Sequence, residues 1–311
     1  MRIAVFGVGG IGGYFGWRLA RAGEDVVFVA RGENFRVLSQ KGLAVDTLDG
    51  NSVVHPVRVV GDAREAGQVD AVILGVKAWQ VPEAAEAIRP IIGPDTCVVP
   101  LQNGLEAPMH LSRILGPAHV FGGLCHIVVF LVEPGHVRHA AVEPDVAFGE
   151  LDNQPSRRAL ALREAFSHAG VKCEIPADIH LAMWEKFLFI ASFSGVAAVS
   201  RAPAGIIRTV PETRQMLEEV MVEIVAVAQA RGIGLTQSSI DSTMAFVDGL
   251  APSATASMQR DVMEGRASEL SEQTGAVVRL GREVGLATPL NSAIYRSLLP
   301  QELRARRQAD F

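Results

Sequence analysis

Cysteine is scarce: the 311-residue chain has three, Cys97, Cys125 and Cys173, odd in number and far apart. That spacing supports neither a disulfide framework nor a zinc site, and three buried thiols in a reducing cytoplasm are expected. An excess of positive charge is also lacking. The 29 Lys and Arg against 34 Asp and Glu leave a net charge of −5, which argues against a nucleic-acid partner. No uncharged run is long enough for a bilayer: Phe187 to Ser200 is too short and contains three serines. It reads as a buried helix, and no membrane association is expected. The eight histidines show no metal-ligand spacing, so no metal is expected. Internal repeats and low-complexity segments are absent.

What is present is a globular composition, 49% hydrophobic and 20% charged, in a chain long enough for two domains with separate cores. The most informative stretch is the first thirty-one residues. An apolar run, Arg2 to Phe6, breaks into Gly7-Val8-Gly9-Gly10-Ile11-Gly12, and a second apolar run, Asp25 to Ala30, ends on Arg31. In a strand–helix–strand unit, Gly7 makes the tight turn, Gly9 admits a pyrophosphate, and Gly12 lets the helix pack close to the strand. The helix, Gly12 to Ala22, aims its N-terminal amides at the phosphates, and Gly10 and Ile11 in the loop before it are counted among the cofactor contacts. An acidic residue after the second strand would bind a ribose 2′-hydroxyl, whereas an arginine pairs with a 2′-phosphate. Arg31 therefore favours NADP over NAD. The glycines that cut this segment also exclude a signal peptide.

Further along, a helix is expected at Asn34 to Lys41, and Leu43 to Thr47 and Ser52 to Val59 flank Asp49-Gly50 as a hairpin at the sheet's edge. Strand and helix then alternate: Ala71 to Val76, Val81 to Ile91 started by Pro82, Cys97 to Leu101, Leu105 to Leu115. This alternation means a parallel, doubly wound α/β sheet of the Rossmann type. The runs Val120 to Val132, Val137 to Val142 and Val146 to Gly149 read as antiparallel strands extending that sheet, and a helix, Ser156 to Ala169, with a strand, Val171 to Ile175, completes a domain over residues 1–177.

From residue 178 to 311 only helical periodicity remains, so the second domain is all-helical. Its expected helices are Ile179 to Val199, Pro211 to Arg231, Ser238 to Val247, Ser253 to Met263, Ser268 to Glu283 and Pro289 to Leu299. The basic tail with Arg304, Arg306 and Arg307 reads as a solvated helix end. Composition leaves open whether the apolar helices bury themselves within one subunit or form the face of a homodimer.

Ligands of an open α/β sheet bind beyond the carboxyl ends of its strands. Lys77 and Asn103 stand there, Lys77 as a nucleotide contact and Asn103 within a Gln-Asn-Gly turn. On residues alone, Lys186 is a lysine whose stem packs while its ammonium reaches water. Ser257 and Glu269 would lie about 18 Å apart on a straight helix, so they can share a small ligand only if the helix breaks, and Gly265 with the cap-like Ser268 offers the break.

Together these residues resemble the ketopantoate reductase (2-dehydropantoate 2-reductase) family. The likeness rests on Gly7-x-Gly9-x-x-Gly12, Arg31, Val76-Lys77-Ala78-Trp79-Gln80, Gln102-Asn103-Gly104, Trp184-x-Lys186, Ser257-Met258-x-x-Asp261, Glu269 and Gly285-Leu-Ala-Thr288-Pro289-x-Asn291. The resemblance implies NADPH-dependent reduction of a small 2-keto acid, ketopantoate in the first instance, and a place in pantothenate synthesis. It makes Lys186 the general acid, Glu269 an active-site carboxylate, Asn103 a residue beside nicotinamide and substrate, and Ser257 a substrate contact. The chain departs from the family pattern where substrate-gripping asparagines are expected: it has Ile190, Ser194 and Ala204. Residues 186, 190 and 194 share one helix face, so Ser194 is counted as a substrate contact in an altered pocket. A more apolar keto acid, or NADP sensing without catalysis, are the alternatives. Retention of both Lys186 and Glu269 speaks against the sensor.

Overall fold

The computed structural model describes residues 1–309. The chain divides into two compact units, one of Met1–Gln102 with Ala107–Ile179, the other of Asn103–Glu106 with the residues from His180 onward.

In the first unit, β1 (Arg2–Phe6), α1 (Gly10–Arg21) and β2 (Asp25–Val29) form the expected strand–helix–strand start. After α2 (Gly32–Lys41), β3 (Leu43–Thr47) and β4 (Gly50–Val54) come β5 (Arg58–Val60), β6 (Val69–Leu74), α3 (Val81–Ile88), β7 (Ile92–Pro100) and α4 (Ala107–Leu115). Five of these strands make a wholly parallel sheet in the order β5-β2-β1-β6-β7. Its faces are buried separately. Ile3, Val5 and Phe28 enter one core, while Ala4, Phe6, Val27 and Leu74 enter another. Burial on both faces explains why these strands read as continuous apolar runs without alternation.

The later strands correct the expectation of one extended sheet. β8 (Phe121–Glu133), β9 (His136–Glu150) and β10 (Lys172–Glu174), the last after helix α5 (Arg157–His168), join β3 and β4 in a second five-stranded sheet. A single bridge, Val98 to Val120, links its start to β7. Helix α1 contacts strands of both sheets, and its residues Gly12 to Trp17 are all buried. The second sheet approaches so closely that a Cβ on Gly13 would stand 2.8 Å from Val137 Cγ2. The hairpin therefore belongs to this second sheet. The expected strand Ser52 to Val59 is two strands, since Pro56 has no N–H to continue a ladder.

The second unit is helical: α6 (Ile179–Ser200), α7 (Ala204–Thr209), α8 (Pro211–Ala230), α9 (Gln237–Gly249), α10 (Ser257–Met263), α11 (Thr274–Glu283) and α12 (Pro289–Ala309). With 22 residues, α6 matches the expected Ile179 to Val199 to within one residue; by length and composition it could cross a membrane, yet 67% of its apolar window is buried. Phe187, Leu188, Ala191, Val196 and Ala197 place it in the core of this unit. Each fully buried Leu, Val or Phe contributes about 1.5–3 kcal/mol.

The helical expectations need correction at several points, among them α12, which runs on to Ala309 past the expected end at Leu299. Helix α7 has no counterpart among the expected helices. α10 begins at Ser257 instead of Ser253, because the carbonyls of Pro252 and Ala254 accept from the amides of Gly205 and Ala204. α11 begins at Thr274 instead of Ser268, because Glu302 takes the amide and hydroxyl of Ser268. The same contacts correct the reading of the basic tail at one residue: Arg304 and Arg307 are exposed as expected, but Arg306 is half-buried and bonds Glu302 and Glu272.

Candidate active site

The glycine loop of the first unit is closed by backbone packing. Gly7 turns with φ +92°, and a Cβ there would stand 2.7 Å from Val76 N. A Cβ on Gly12 would stand 2.2 Å from Gly7 O. At both positions only glycine fits. Gly9 differs, because its Cβ would meet nothing within 4 Å. It is the N-cap of α1, makes no side-chain capping bond, and is followed by a first turn without acidic residues. The leading amides, those of Gly10, Ile11 and Gly12, have no intrahelical acceptor and stand at the positive end of the helix dipole. This open, uncapped cradle fits the pyrophosphate of a dinucleotide.

Neighbouring side chains fix the cradle. Asn34 donates from Nδ2 to Val8 O at 2.7 Å and accepts from Gly135 N at 2.8 Å, joining the loop to the β8–β9 turn. Gln102 donates from Nε2 to Leu74 O and Val76 O, at 2.8 and 3.0 Å, joining the ends of β6 and β7. Sequence reading missed both Asn34 and the bonding of Gln102, because each depends on carbonyls distant in sequence.

Arg31 follows β2 at the rim of a cavity of about 460 Å3, lined also by Phe6, Val29, Asp62, Arg64 and Glu86. Its guanidinium lies 3.3 Å from Glu83, and both side chains are largely exposed, so this pair is a weak tether. Arg64 is the cation that sequence reading missed. It bonds Asp62 through Nε and Nη2, and these bonds with the Arg64 amide hold the Asp62 carboxyl down at about 2. Lys77 is exposed after β6, its Nζ 5.8 Å from the centre of the Trp79 ring.

The second unit brings together two residues 166 positions apart: Asn103 Nδ2 donates to Glu269 Oε2 at 3.2 Å. Gln273, fully buried, donates to the same oxygen at 3.4 Å. This second amide is absent from the sequence reading, since a glutamine four residues after a glutamate carries no signal of its own. The expected break between Ser257 and Glu269 is present. α10 ends in a turn where Gly265 takes φ +69°, Arg266 N bonds Asp261 O at 2.8 Å, and the Arg266 guanidinium bonds the Asp261 carboxylate. Residues 266–273 are non-helical, and Glu269 sits in that segment. Burial foremost pushes the neighbouring Glu272 carboxyl up, Arg306 opposes the rise, and the charge of Glu269 adds to it.

Lys186 is half-buried on α6 between Trp184 and Phe187, whose buried rings meet edge to face at 5.7 Å. Ser257, half-buried, opens α10. Ile190 is half-buried against the core, while Ala204 is fully buried. Ser194 is sealed from solvent and its Oγ has no partner among the described residues. Two further buried atoms without partners among the described residues, Gln273 Oε1 and Thr274 Oγ1, follow Glu269, and a Cβ on Gly195 would stand 3.2 Å from Thr274 Oγ1. This junction of α6 and α11 therefore holds a concentration of unsatisfied polar atoms beside the Glu269 turn.

Known proteins share this architecture. Residues 3–153 match the family model described as ketopantoate reductase PanE/ApbA, and residues 178–302 match its C-terminal counterpart. The chain is 30% identical over 300 residues to the "Uncharacterized oxidoreductase YkpB" of Bacillus subtilis, covering 96% of this chain and 98% of that protein. It is 30% identical to a 2-dehydropantoate 2-reductase of Mesorhizobium japonicum, covering 94% and 95% of the two chains. Among solved structures, 2-dehydropantoate 2-reductase from Geobacter metallireducens aligns with a TM-score of 0.89 at 29% identity over 97% of this chain and 99% of that one. The chain belongs to the ketopantoate reductase family and is an oxidoreductase acting on a CH–OH/C=O group.

Proposed function

We propose that the protein reduces a 2-keto acid to the 2-hydroxy acid with NADPH, and that its substrate is 2-dehydropantoate. The observation that carries this reading is the Asn103–Glu269 contact at 3.2 Å, which joins two residues assigned to the reaction on independent motifs. When bound, NADPH supplies the hydride. The residues of the chain do the rest. Glycine amides of the α1 cradle hold the pyrophosphate, with Lys77 as a further nucleotide contact, and Arg31 pairs with the 2′-phosphate. Lys186, as an ammonium, stabilises negative charge growing on the carbonyl oxygen and donates the proton. Asn103 and Ser257 orient the substrate, and Glu269 fixes Asn103 from below while remaining an acceptor for a substrate hydroxyl. Ser194 does not join them, because it is sealed in the core.

Ile190 favours a second reading, a keto acid with a more apolar chain, because its side chain cannot replace the hydrogen bonds of an asparagine. Incubation with NADPH and 2-dehydropantoate, with chromatographic detection of the hydroxy acid, tests the reaction. Pantoate formed in proportion to NADPH consumed supports it. No consumption with 2-dehydropantoate or with any other 2-keto acid contradicts it.

The cofactor half is tested separately. Arg31→Ala is expected to weaken 2′,5′-ADP about 10- to 100-fold, the worth of a charge-assisted pair, and to leave 5′-AMP unchanged by calorimetry. Equal affinity of the unaltered protein for the two nucleotides would remove the NADP preference.

A further inference from the structure

The Arg279 guanidinium bonds two segments at once. From α11 its Nε donates to Glu106 Oε1 at 3.3 Å, its Nη2 donates to Glu106 Oε2, and the same Nη2 donates to the backbone carbonyl of Ser271 at 2.9 Å. Glu106 is three residues after Asn103, and Ser271 is two residues after Glu269. Glu106 is mostly buried, at 14% side-chain exposure, so this ion pair is less screened than the surface pairs of the chain. The two segments also touch through backbone. Gly104 takes φ +120°, and a Cβ there would stand 2.9 Å from Glu272 O, so this approach admits only glycine.

The turn has a second clamp. Glu302 accepts from the amide and hydroxyl of Ser268, and Arg306 donates to Ser268 O at 3.1 Å and to Glu272 at 3.2 Å. The turn bearing Glu269 is thus spanned by Arg306, from Ser268 to Glu272, and held by Arg279 at Ser271 between them. Arg279 also grips the segment bearing Asn103, through Glu106. Asn103 and Glu269 stand on irregular segments, and in addition to the backbone approach of Gly104 to Glu272 the Arg279 bonds fasten these two segments to each other.

We infer that Arg279, through Glu106, is a positioning residue that sets Asn103 against Glu269 for the reaction. The inference rests on the reading of Asn103 under Proposed function. Arg279 acts through Asn103, since its bonds go to Glu106 and to the Ser271 carbonyl. Displacing a positioned group by about 1 Å can cost about 100-fold in rate, so Arg279→Met is expected to lower kcat/KM about 10- to 100-fold.

The test is a double-mutant cycle on the full protein, with NADPH and the 2-keto acid it turns over. Arg279→Met, Asn103→Ala and the double variant are compared by kcat/KM, and each is melted. If Arg279 acts through Asn103, its substitution costs less than about twofold once Asn103 is already alanine, and Arg279→Lys recovers part of the loss. Equal losses in both backgrounds overturn the inference and leave Arg279 a residue of general stability. An Asn103→Ala protein with unchanged kcat/KM overturns the reading of Asn103 itself and this inference with it. Should Arg279→Met not fold, Glu106→Gln is paired with Asn103→Ala in its place. It keeps the shape and removes the charge, and the same non-additivity is required.

Discussion

Replacing Lys186 by alanine is expected to lower kcat about 100- to 10,000-fold, the range contributed by a positioned proton donor. Lys186 falls in sequence between Trp184 and Phe187, whose buried rings pack against each other, so its backbone is fixed by core packing and its own half-buried side chain adds little to stability. The variant should therefore fold and melt within a few degrees of the parent. Its affinity for 2′,5′-ADP should be unchanged, because the residues assigned to the nucleotide lie on the glycine cradle and at Arg31. The Lys186→Arg variant keeps the charge, but a guanidinium holds its proton too tightly to act as an acid, so it should recover little of the loss. A Lys186→Ala protein that turns over within about threefold of the parent would remove lysine from the mechanism.

Alanine at Gly9 and at Gly12 should separate ligand binding from folding. At Gly9 an added Cβ meets nothing within 4 Å, and the residue's φ of −90° suits any L-residue. Gly9→Ala should melt as the parent does. It should bind NADPH about 10- to 100-fold more weakly, because the methyl group stands in the cradle where the pyrophosphate approaches. At Gly12 the same methyl group would stand 2.2 Å from Gly7 O, a backbone atom that cannot move without opening the turn. Gly12→Ala should lose both affinity and stability, the latter by about 1–3 kcal/mol as for overpacked cores. Calorimetry of binding and thermal melting of both variants check this pair. Unimpaired NADPH binding by Gly9→Ala would mean that the cradle does not hold the pyrophosphate.

What is legible in the sequence follows the range of the forces involved. The glycine loop and Arg31 are legible because a turn at positive φ, a close helix start and a strand end are local constraints, each written within a few residues. The break between Ser257 and Glu269 is legible for the same reason, through Gly265. The second sheet is not: apolar runs at residues 120–149 declare strands, but which sheet they join depends on Gly10 and Gly13 admitting Val129 and Val137 across α1. Arg306 looks solvated in sequence because its partners, Glu302 apart, lie more than thirty residues away. Asn103 is noticed at a strand end and Glu269 beyond a helix break, their roles come from the resemblance, and their contact, across 166 residues, comes only from the folded chain. Local reading of Lys186 gives a lysine with a packed stem, which its half-buried position fits, and its chemical role rests on the family pattern.

The central claim, reduction of 2-dehydropantoate with NADPH, is tested most directly by kcat/KM for that acid beside straight-chain 2-keto acids of graded length, followed through nicotinamide absorbance. The account predicts the highest kcat/KM for 2-dehydropantoate, with Ile190 tolerated in its pocket. Preference for a longer, apolar keto acid over 2-dehydropantoate would contradict it.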